Sequence, residues 1–191
     1  GQWFEYGERS ELWGAVKDIA TNSDLDPLSR EYGSQFFYVV GETAYREQPE
    51  AAATIAAQTS SFTRELLDNP DPQLRAAALI GANHISQTIT PSKDTLQNWI
   101  TASESALAKP SGAHPSEQLA AIAFLKEWGN ADYAPTILST LAQHKSPSIQ
   151  LALLSWLDST HPELSQEIAL DPRSPLHPLV SQKLKTMLAA N

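Results

Sequence analysis

The 191-residue sequence predicts an all-α fold made of about five helical hairpins. A capping residue followed by proline recurs at Asp26-Pro27, Asp71-Pro72, His114-Pro115, Ser146-Pro147 and Ser174-Pro175. Asp and Ser accept hydrogen bonds from the free amides of a first helical turn, and proline loses no hydrogen bond there. Each pair therefore predicts a helix start, and such recurrence is typical of helical repeat arrays. Since no stretch alternates apolar and polar residues for long, no sheet is expected.

In the first half of the chain, apolar residues at intervals of three and four, together with helix breakers, predict five helices. The predicted ranges are 10–22, 27–46, 49–68, 72–89 and 91–107. The first helix ends at a polar triplet, the second and fourth begin at Asp-Pro pairs, and Pro49 and Pro91 open the other two. An aromatic N-terminal segment, residues 1–9, precedes these helices.

A loop at residues 109–112 leads to a second set of five predicted helices. Their ranges are 115–128, 132–143, 147–158, 162–170 and 175–189. Gly129 follows the first of them as a C-terminal cap, and Thr160-His161-Pro162-Glu163 has the pattern of a capping box. Because the connections are short, consecutive helices are expected to be antiparallel neighbours in one domain, residues 10–191.

Residues 71–79, Asp-Pro-Gln-Leu-Arg-Ala-Ala-Ala-Leu, resemble the inner helix of a HEAT repeat. In that family Asp-Pro opens the helix, an arginine follows three residues after the proline, and small residues fill the middle. Residues 26–30 repeat the opening, whereas Gln118 and Gln150 take the arginine position in two later copies. The resemblance covers about residues 10–190. It implies a right-handed α-α superhelix, an α-solenoid, and protein binding more often than catalysis.

Charge and composition exclude several classes of function. The formal net charge is −9, and residues 1–71 hold thirteen acidic against five basic residues. An acidic chain repels phosphate backbones, so no nucleic-acid partner is expected. The absence of cysteine excludes disulfides, thiolate metal sites and a cysteine nucleophile. No apolar run reaches the length of about 18 residues that a spanning helix needs, so no membrane insertion of this segment is expected.

The sequence carries no motif of a known catalytic or metal site. Its five histidines form no His-Glu-x-x-His or His-x₃-His pair, and its eight glycines form no phosphate-binding loop. There is no Gly-x-Ser-x-Gly elbow either. We therefore expect no enzyme activity, no metal and no cofactor. Arg30 and Arg75 are expected to bond to a capping Asp or to a neighbouring hairpin.

In the HEAT-like alignment, residues at the fourth and eighth positions after each proline face the concave surface and are usually polar. Here these positions place an apolar strip on the inner face, namely Ile80, Leu119, Leu151 and Leu179. A contiguous exposed apolar strip implies a partner, so an apolar helix or extended peptide is expected to dock there. The possible polar binding residues are His84, Lys126 and Trp156. Two alternatives stay open: the register is off by one in the less regular hairpins, or the N-terminal segment covers the strip.

The expected function is a non-catalytic protein-binding or scaffold module, part of a larger or membrane-anchored assembly, with a protein or peptide as partner. An enzyme on a HEAT-like scaffold, of the lyase-like kind, and a purely structural spacer remain alternatives. The aromatic run at residues 2–6 fits a segment beside a membrane or a segment that packs over the first helices. Abundant Ala, Gln, Ser and Thr without Cys favours a periplasmic or other extracytoplasmic location over the cytoplasm.

Overall fold

The computed structural model describes residues 6–108, 114–129, 131–170 and 176–189, with only the backbone at 6–10, 131, 169, 170, 183 and 186–189. These residues form ten α-helices and two 3₁₀ turns, and none of them lies in a strand, which confirms the all-α prediction. The helices are α1 (Tyr6–Thr21), α2 (Pro27–Glu47), α3 (Ala52–Leu67), α4 (Pro72–Ile85), α5 (Lys93–Leu107), α6 (Pro115–Trp128), α7 (Ala134–Gln143), α8 (Pro147–Thr160), α9 (Pro162–Leu170) and α10 (Pro178–Ala189). The 3₁₀ turns are Pro49–Ala51 and Ala131–Tyr133.

The first and last helices begin at residues other than those predicted. Helix α1 begins at Tyr6, inside the predicted segment 1–9, whose residues 1–5 lie outside the described part of the chain. Helix α10 begins at Pro178, three residues after the predicted start, because the His177 ring caps it: Nδ1 accepts the Leu179 amide at 3.3 Å. The predicted loop 109–112 and the pair Ser174-Pro175 also lie outside the described residues.

Three of the predicted capping pairs close a hydrogen bond on the first turn of their helix. The bonds run from the Ser29 amide to Asp26 (3.0 Å), from the Gln73 amide to Asp71 (2.9 Å) and from the Ser116 amide to His114 Nδ1 (3.3 Å). Ser146 occupies the cap position of α8, but its hydroxyl bonds to the Ser148 hydroxyl instead of an amide. The predicted capping box is wrong, because the Thr160 hydroxyl donates to the Trp156 carbonyl within α8.

The chain divides into two compact units, residues 1–99 (the N-terminal unit) and 100–191 (the C-terminal unit), and the division falls within α5. In the N-terminal unit, α2 packs against α1, α3 and α4, and α3 also packs against α4. In the C-terminal unit, α8 is central and packs against α6, α7, α9 and α10. The single domain at residues 10–191 stays a prediction.

Aromatic rings and one close helix approach build the core of the N-terminal unit. The Phe37 ring lies 3.9 Å from the Phe62 ring and 4.8 Å from the Trp13 ring, measured between centroids. Tyr38 is fully buried beside them, with its hydroxyl 2.9 Å from the Thr63 hydroxyl. On α4, a Cβ added to Gly81 would lie 2.0 Å from the Tyr38 ring. The α2–α4 contact therefore requires a glycine, which has no side chain, at residue 81.

The third residue after the opening proline links helices at three of the helix starts, whereas Arg75 donates to the Asn69 and Pro70 carbonyls just ahead of its own helix. In the N-terminal unit, the Arg30 guanidinium donates to the Asp71 carboxylate, which caps α4, at 2.7 Å. Arg30 thus has the structural role that the sequence predicts. In the C-terminal unit, the Gln118 amide lies 2.9 Å from His144 Nε2, and Gln150 donates to the His144 carbonyl at 2.7 Å. Gln150 also accepts the His177 amide at 2.7 Å.

The buried His144 ring predicts that acid destabilises the C-terminal unit. Burial lowers the pKa of His144 below its usual value of 6.5, so the folded state favours the neutral ring. This contribution is complete above the unfolded pKa and is lost as the pH falls below about 6.5. We expect the urea midpoint to fall between pH 7.5 and pH 5.5, and to fall less in His144→Gln. Equal losses in both proteins would contradict this role.

Candidate functional site

The residues of the predicted concave strip are partly accessible, but they do not form one described surface. Ile80 on α4 is 50% exposed, and Leu119 on α6 is 37% exposed, whereas Leu151 on α8 is half-buried. The alignment of Leu179 on Pro175 is wrong, because α10 starts at Pro178 and places Leu179 in its first turn. Ile80 belongs to the N-terminal unit and the three leucines to the C-terminal unit. A continuous strip therefore stays a prediction.

Of the possible polar binding residues, His84 and Lys126 are exposed and bonded to neighbouring helices. His84 Nε2 lies 2.8 Å from a Glu42 carboxylate oxygen, and Lys126 Nζ donates to the Ser155 hydroxyl at 3.0 Å. The Thr88 hydroxyl donates to the same Glu42 carboxylate at 2.7 Å. This bond, followed by the contact with His84, holds the pKa of Glu42 below its usual range. His84 thus connects α4 to α2, and Lys126 connects α6 to α8.

The prediction of Trp156 as a polar binding residue is wrong. Its side chain is fully buried in the C-terminal unit. Among the described residues, no acceptor lies within hydrogen-bond distance of the indole Nε1. Nine residues after Pro147, Trp156 falls on the face of α8 that packs into the core, between the buried residues Leu153 and Leu157. The residue serves packing, so it cannot contact a partner.

An apolar groove between α1 and α2, which the sequence-based prediction did not include, lies in the N-terminal unit. It encloses about 520 Å³. The lining residues are Val16 and Ile19 on α1 and Ser29, Tyr32, Gly33, Gln35, Phe36 and Val39 on α2. Four of them leave much of a large apolar side chain in solvent: Ile19 is 42% exposed, Tyr32 62%, Phe36 51% and Val39 48%. We call this surface the α1–α2 groove.

Helix α2 has two apolar faces, and the α1–α2 groove uses the outer one. Phe37, Tyr38 and Gly41 are buried on the inner face, against the core. Leu28, Tyr32, Phe36 and Val39 recur at intervals of four, four and three and so form a second stripe along the helix. Leu28 is 58% exposed, like the rest of that stripe. The stripe runs about 16 Å, at about 1.5 Å per residue.

A glycine sets the floor of the α1–α2 groove. A Cβ on Gly33 would lie 2.9 Å from the Ala20 backbone nitrogen and 2.9 Å from the Ile19 side chain. Helix α1 therefore approaches the backbone of α2 directly at this point. Phe36 and Tyr32 stand beside this contact as one wall, and Ile19 forms the other. The pattern of residues 28–39 was a usable signal, since Leu28, Tyr32, Phe36 and Val39 repeat along one face of α2, away from the face that carries Phe37 and Tyr38.

A second cavity in the N-terminal unit has little capacity for chemistry. It encloses about 400 Å³ and is lined by Ala56, Ala57, Thr59, Ser60, Ile85, Ile89, Thr90, Pro91, Ser92, Thr95 and Trp99. None of these side chains can act as a general acid or base near neutral pH. Within the described ranges, no three His, Cys, Asp or Glu residues are grouped to hold a metal ion. No described helix is long and apolar enough to cross a membrane.

Comparison of the chain with protein-family models, with curated proteins and with solved structures gives no match. The HEAT-like family therefore stays a prediction that depends on residues 71–79 and the related helix starts. What the geometry itself provides is an open apolar groove with two aromatic rings in its wall, Tyr32 and Phe36. Such a surface can bind an apolar segment, and its lining carries no carboxylate, imidazole or amine for catalysis.

Proposed function

We propose that this chain is a non-catalytic protein-binding module and that it holds a segment of a partner protein in the α1–α2 groove. The observation that carries the proposal is the stripe of Leu28, Tyr32, Phe36 and Val39, which stays exposed although the same helix has a complete inner face. Contiguous exposed apolar surface on a folded domain marks interaction sites. Aromatic side chains in particular supply much of the binding energy of protein interfaces.

The free energy expected from covering the exposed rings supports a docking site in the α1–α2 groove. Full burial of a large apolar side chain stabilises by about 1.5–3 kcal/mol. Since Tyr32 and Phe36 are each about half exposed, covering both rings would contribute about 2 kcal/mol. Ile19 and Val39 add to this on the two walls of the groove. These four side chains form one surface, whereas Ile80 and Leu119 of the predicted strip belong to separate units.

The finer architecture that we propose is a HEAT-like right-handed superhelix, with the module as one part of a larger assembly. Support comes from Arg30 and Gln118, which stand at the same place in their helices and both bond to the stretch ahead of a following helix. The α1–α2 hairpin carries an exposed apolar face, which supports its use as a docking surface.

The test places a photo-crosslinker in the α1–α2 groove and asks whether a partner protein contacts it there. In cells that make the protein, benzoylphenylalanine at position 36 should form one discrete photo-crosslinked adduct. The same crosslinker at position 179, which is also exposed, should not form it. Tyr32→Ser combined with Val39→Ser should remove the adduct, because the partner would lose about half of its apolar contact.

The groove substitutions should leave the fold intact, which separates binding from stability. Tyr32→Ser with Phe36→Ser should lower the free energy of unfolding by at most about 2 kcal/mol, since only about half of each ring is buried in the unit. Ile80→Ser with Leu179→Ser is the matched control, which removes two other exposed apolar side chains. A crosslinked adduct that forms equally at positions 36 and 179, or that survives the groove substitutions, would rule out this docking surface.

A further inference from the structure

We infer that the segment held in the α1–α2 groove is an amphipathic helix whose apolar stripe is flanked by lysine or arginine. This inference rests on the proposed docking function and adds the chemistry of the partner. It follows from the charges around the groove and from its length. An amphipathic helix laid into an apolar groove is a recurring mode of recognition, and a stripe of about 16 Å matches about three turns of such a helix.

Over residues 11–47, where the structure describes the side chains, the α1–α2 hairpin carries more acidic than basic residues. Residues 11–47 hold seven acidic and three basic side chains. All three bases already form ion pairs: Lys17 with Glu65 at 2.6 Å, Arg30 with Asp71 at 2.7 Å and Arg46 with Glu42 at 2.6 Å. The first two pairs join α1 to α3 and α2 to the start of α4, and the third lies within α2. The remaining carboxylates of the hairpin give its surface a negative potential.

Three of these carboxylates, Asp18, Asp24 and Glu31, border the groove. Asp18 directly precedes Ile19 on α1, so it lies about 100° around the helix from the groove wall. Glu31 accepts a hydrogen bond at 3.2 Å from Gln35, which lines the groove on the side away from α1. Asp24 lies between α1 and α2, at the end of the hairpin. None of the three forms an ion pair with another described residue.

With a carboxylate on each long side of the groove and one at its end, the groove favours a positively charged partner. Cationic residues on either side of an apolar stripe would meet Asp18 and Glu31 as the stripe enters the groove. The same rim disfavours other occupants. A second copy of this chain carries a net charge of −9, and the segment 1–9 holds Glu5 and Glu8 against Arg9. Like charges brought together cost free energy and lower the rate of association.

The first experiment compares two designed helical peptides of about 16 residues. They share one leucine stripe, and the flanking positions are Lys and Arg in one peptide and Glu in the other. With the full chain and fluorescein-labelled peptides, anisotropy titration should give a Kd at least about tenfold lower for the basic peptide. Raising the salt from about 0.05 to about 0.5 M should weaken binding of the basic peptide and so bring the two Kd values closer together, because salt screens exposed charges.

The second experiment neutralises the rim. Asp18→Asn, Asp24→Asn and Glu31→Gln together should weaken binding of the basic peptide about three- to tenfold at low salt, as expected for three charge pairs at the surface. The matched control removes three exposed carboxylates elsewhere in the same unit: Glu50→Gln, Asp68→Asn and Asp94→Asn. We expect this control to change the Kd less than about twofold, through long-range charge alone.

The outcomes separate the charge inference from the docking function. Equal Kd values for the basic and acidic peptides would overturn the inference, and so would equal weakening by the rim and control variants. The docking function would then survive only if Tyr32→Ser with Phe36→Ser abolished binding of both peptides. Peptides that bind this groove variant as tightly as the unaltered chain, or that bind neither protein, would overturn both proposals. The comparison of peptides and the salt series use the unaltered chain, so misfolding of a variant cannot mask the result.

Discussion

Replacing Gly81 with alanine should destabilise the N-terminal unit by about 3 kcal/mol or more, the upper end of the range for overpacked cores. The added Cβ would lie 2.0 Å from the Tyr38 ring, well inside van der Waals contact. The ring cannot withdraw easily, because it packs beside Phe37 and Phe62 and its hydroxyl bonds to Thr63. Helices α2 and α4 would have to separate, which opens the core between them.

Gly14→Ala is the matched control for this prediction. Gly14 also lies within an α-helix, but nothing stands within 4 Å of the position that its Cβ would take. This substitution should leave stability unchanged or raise it by about 0.5–1 kcal/mol, because alanine favours the helix over glycine. Thermal and urea unfolding followed by circular dichroism would measure both variants. A Gly81→Ala protein as stable as Gly14→Ala would show that α2 and α4 do not meet as described.

Trp156→Ala should cost the C-terminal unit about 3–5 kcal/mol, as for other buried aromatic residues replaced by alanine. The indole is fully buried in α8, the helix that every other described helix of this unit from α6 onward contacts. Trp156→Phe should cost clearly less, because the indole Nε1 has no described acceptor and most of the ring volume remains. The phenylalanine ring would fill most of the space of the indole, so the cavity would be smaller than in Trp156→Ala.

The measurement for Trp156 needs a probe of the C-terminal unit alone, because two compact units need not unfold in one step. Hydrogen exchange of the α8 amides, read by mass spectrometry against urea, reports that unit directly. Leu119→Ala serves as the control for a partly exposed side chain and should cost less than Trp156→Ala. A loss below about 1 kcal/mol for Trp156→Ala would contradict its place in the core.

Local chemistry made much of the fold predictable. A capping residue before proline determines a helix start through bonds within one turn, so Asp26 and Asp71 marked α2 and α4 correctly. The interpretation of Arg30 as structural was also correct, although its partner is Asp71, the capping residue of α4, which lies far away in the sequence. The start of α10 was missed because two Pro residues stand close together. The His177 ring, directly before Pro178, caps the first turn of α10.

The candidate site was less predictable, because periodicity shows that a helix has an apolar face but not whether another element covers it. Tyr32 and Phe36 have the spacing of core residues, but they lie on a face of α2 that no described helix covers fully. The prediction for Trp156 failed in the opposite way. An aromatic residue was assigned to binding, although the neighbours of α8 enclose it completely. Both outcomes depend on contacts between helices.

The side-chain amide of Gln150 joins α8 to the end of α7 and to the start of α10. Its nitrogen holds the His144 carbonyl at the end of α7, and its oxygen holds the His177 amide at the start of α10. One buried side chain on α8 thereby ties together two segments that are distant in sequence. Releasing α10 at its first turn leaves a buried carbonyl oxygen without its donor, which costs about 1–3 kcal/mol. Helix α10 is thus fastened at its first turn, so its release from α8 has to break the bond between Gln150 and the His177 amide.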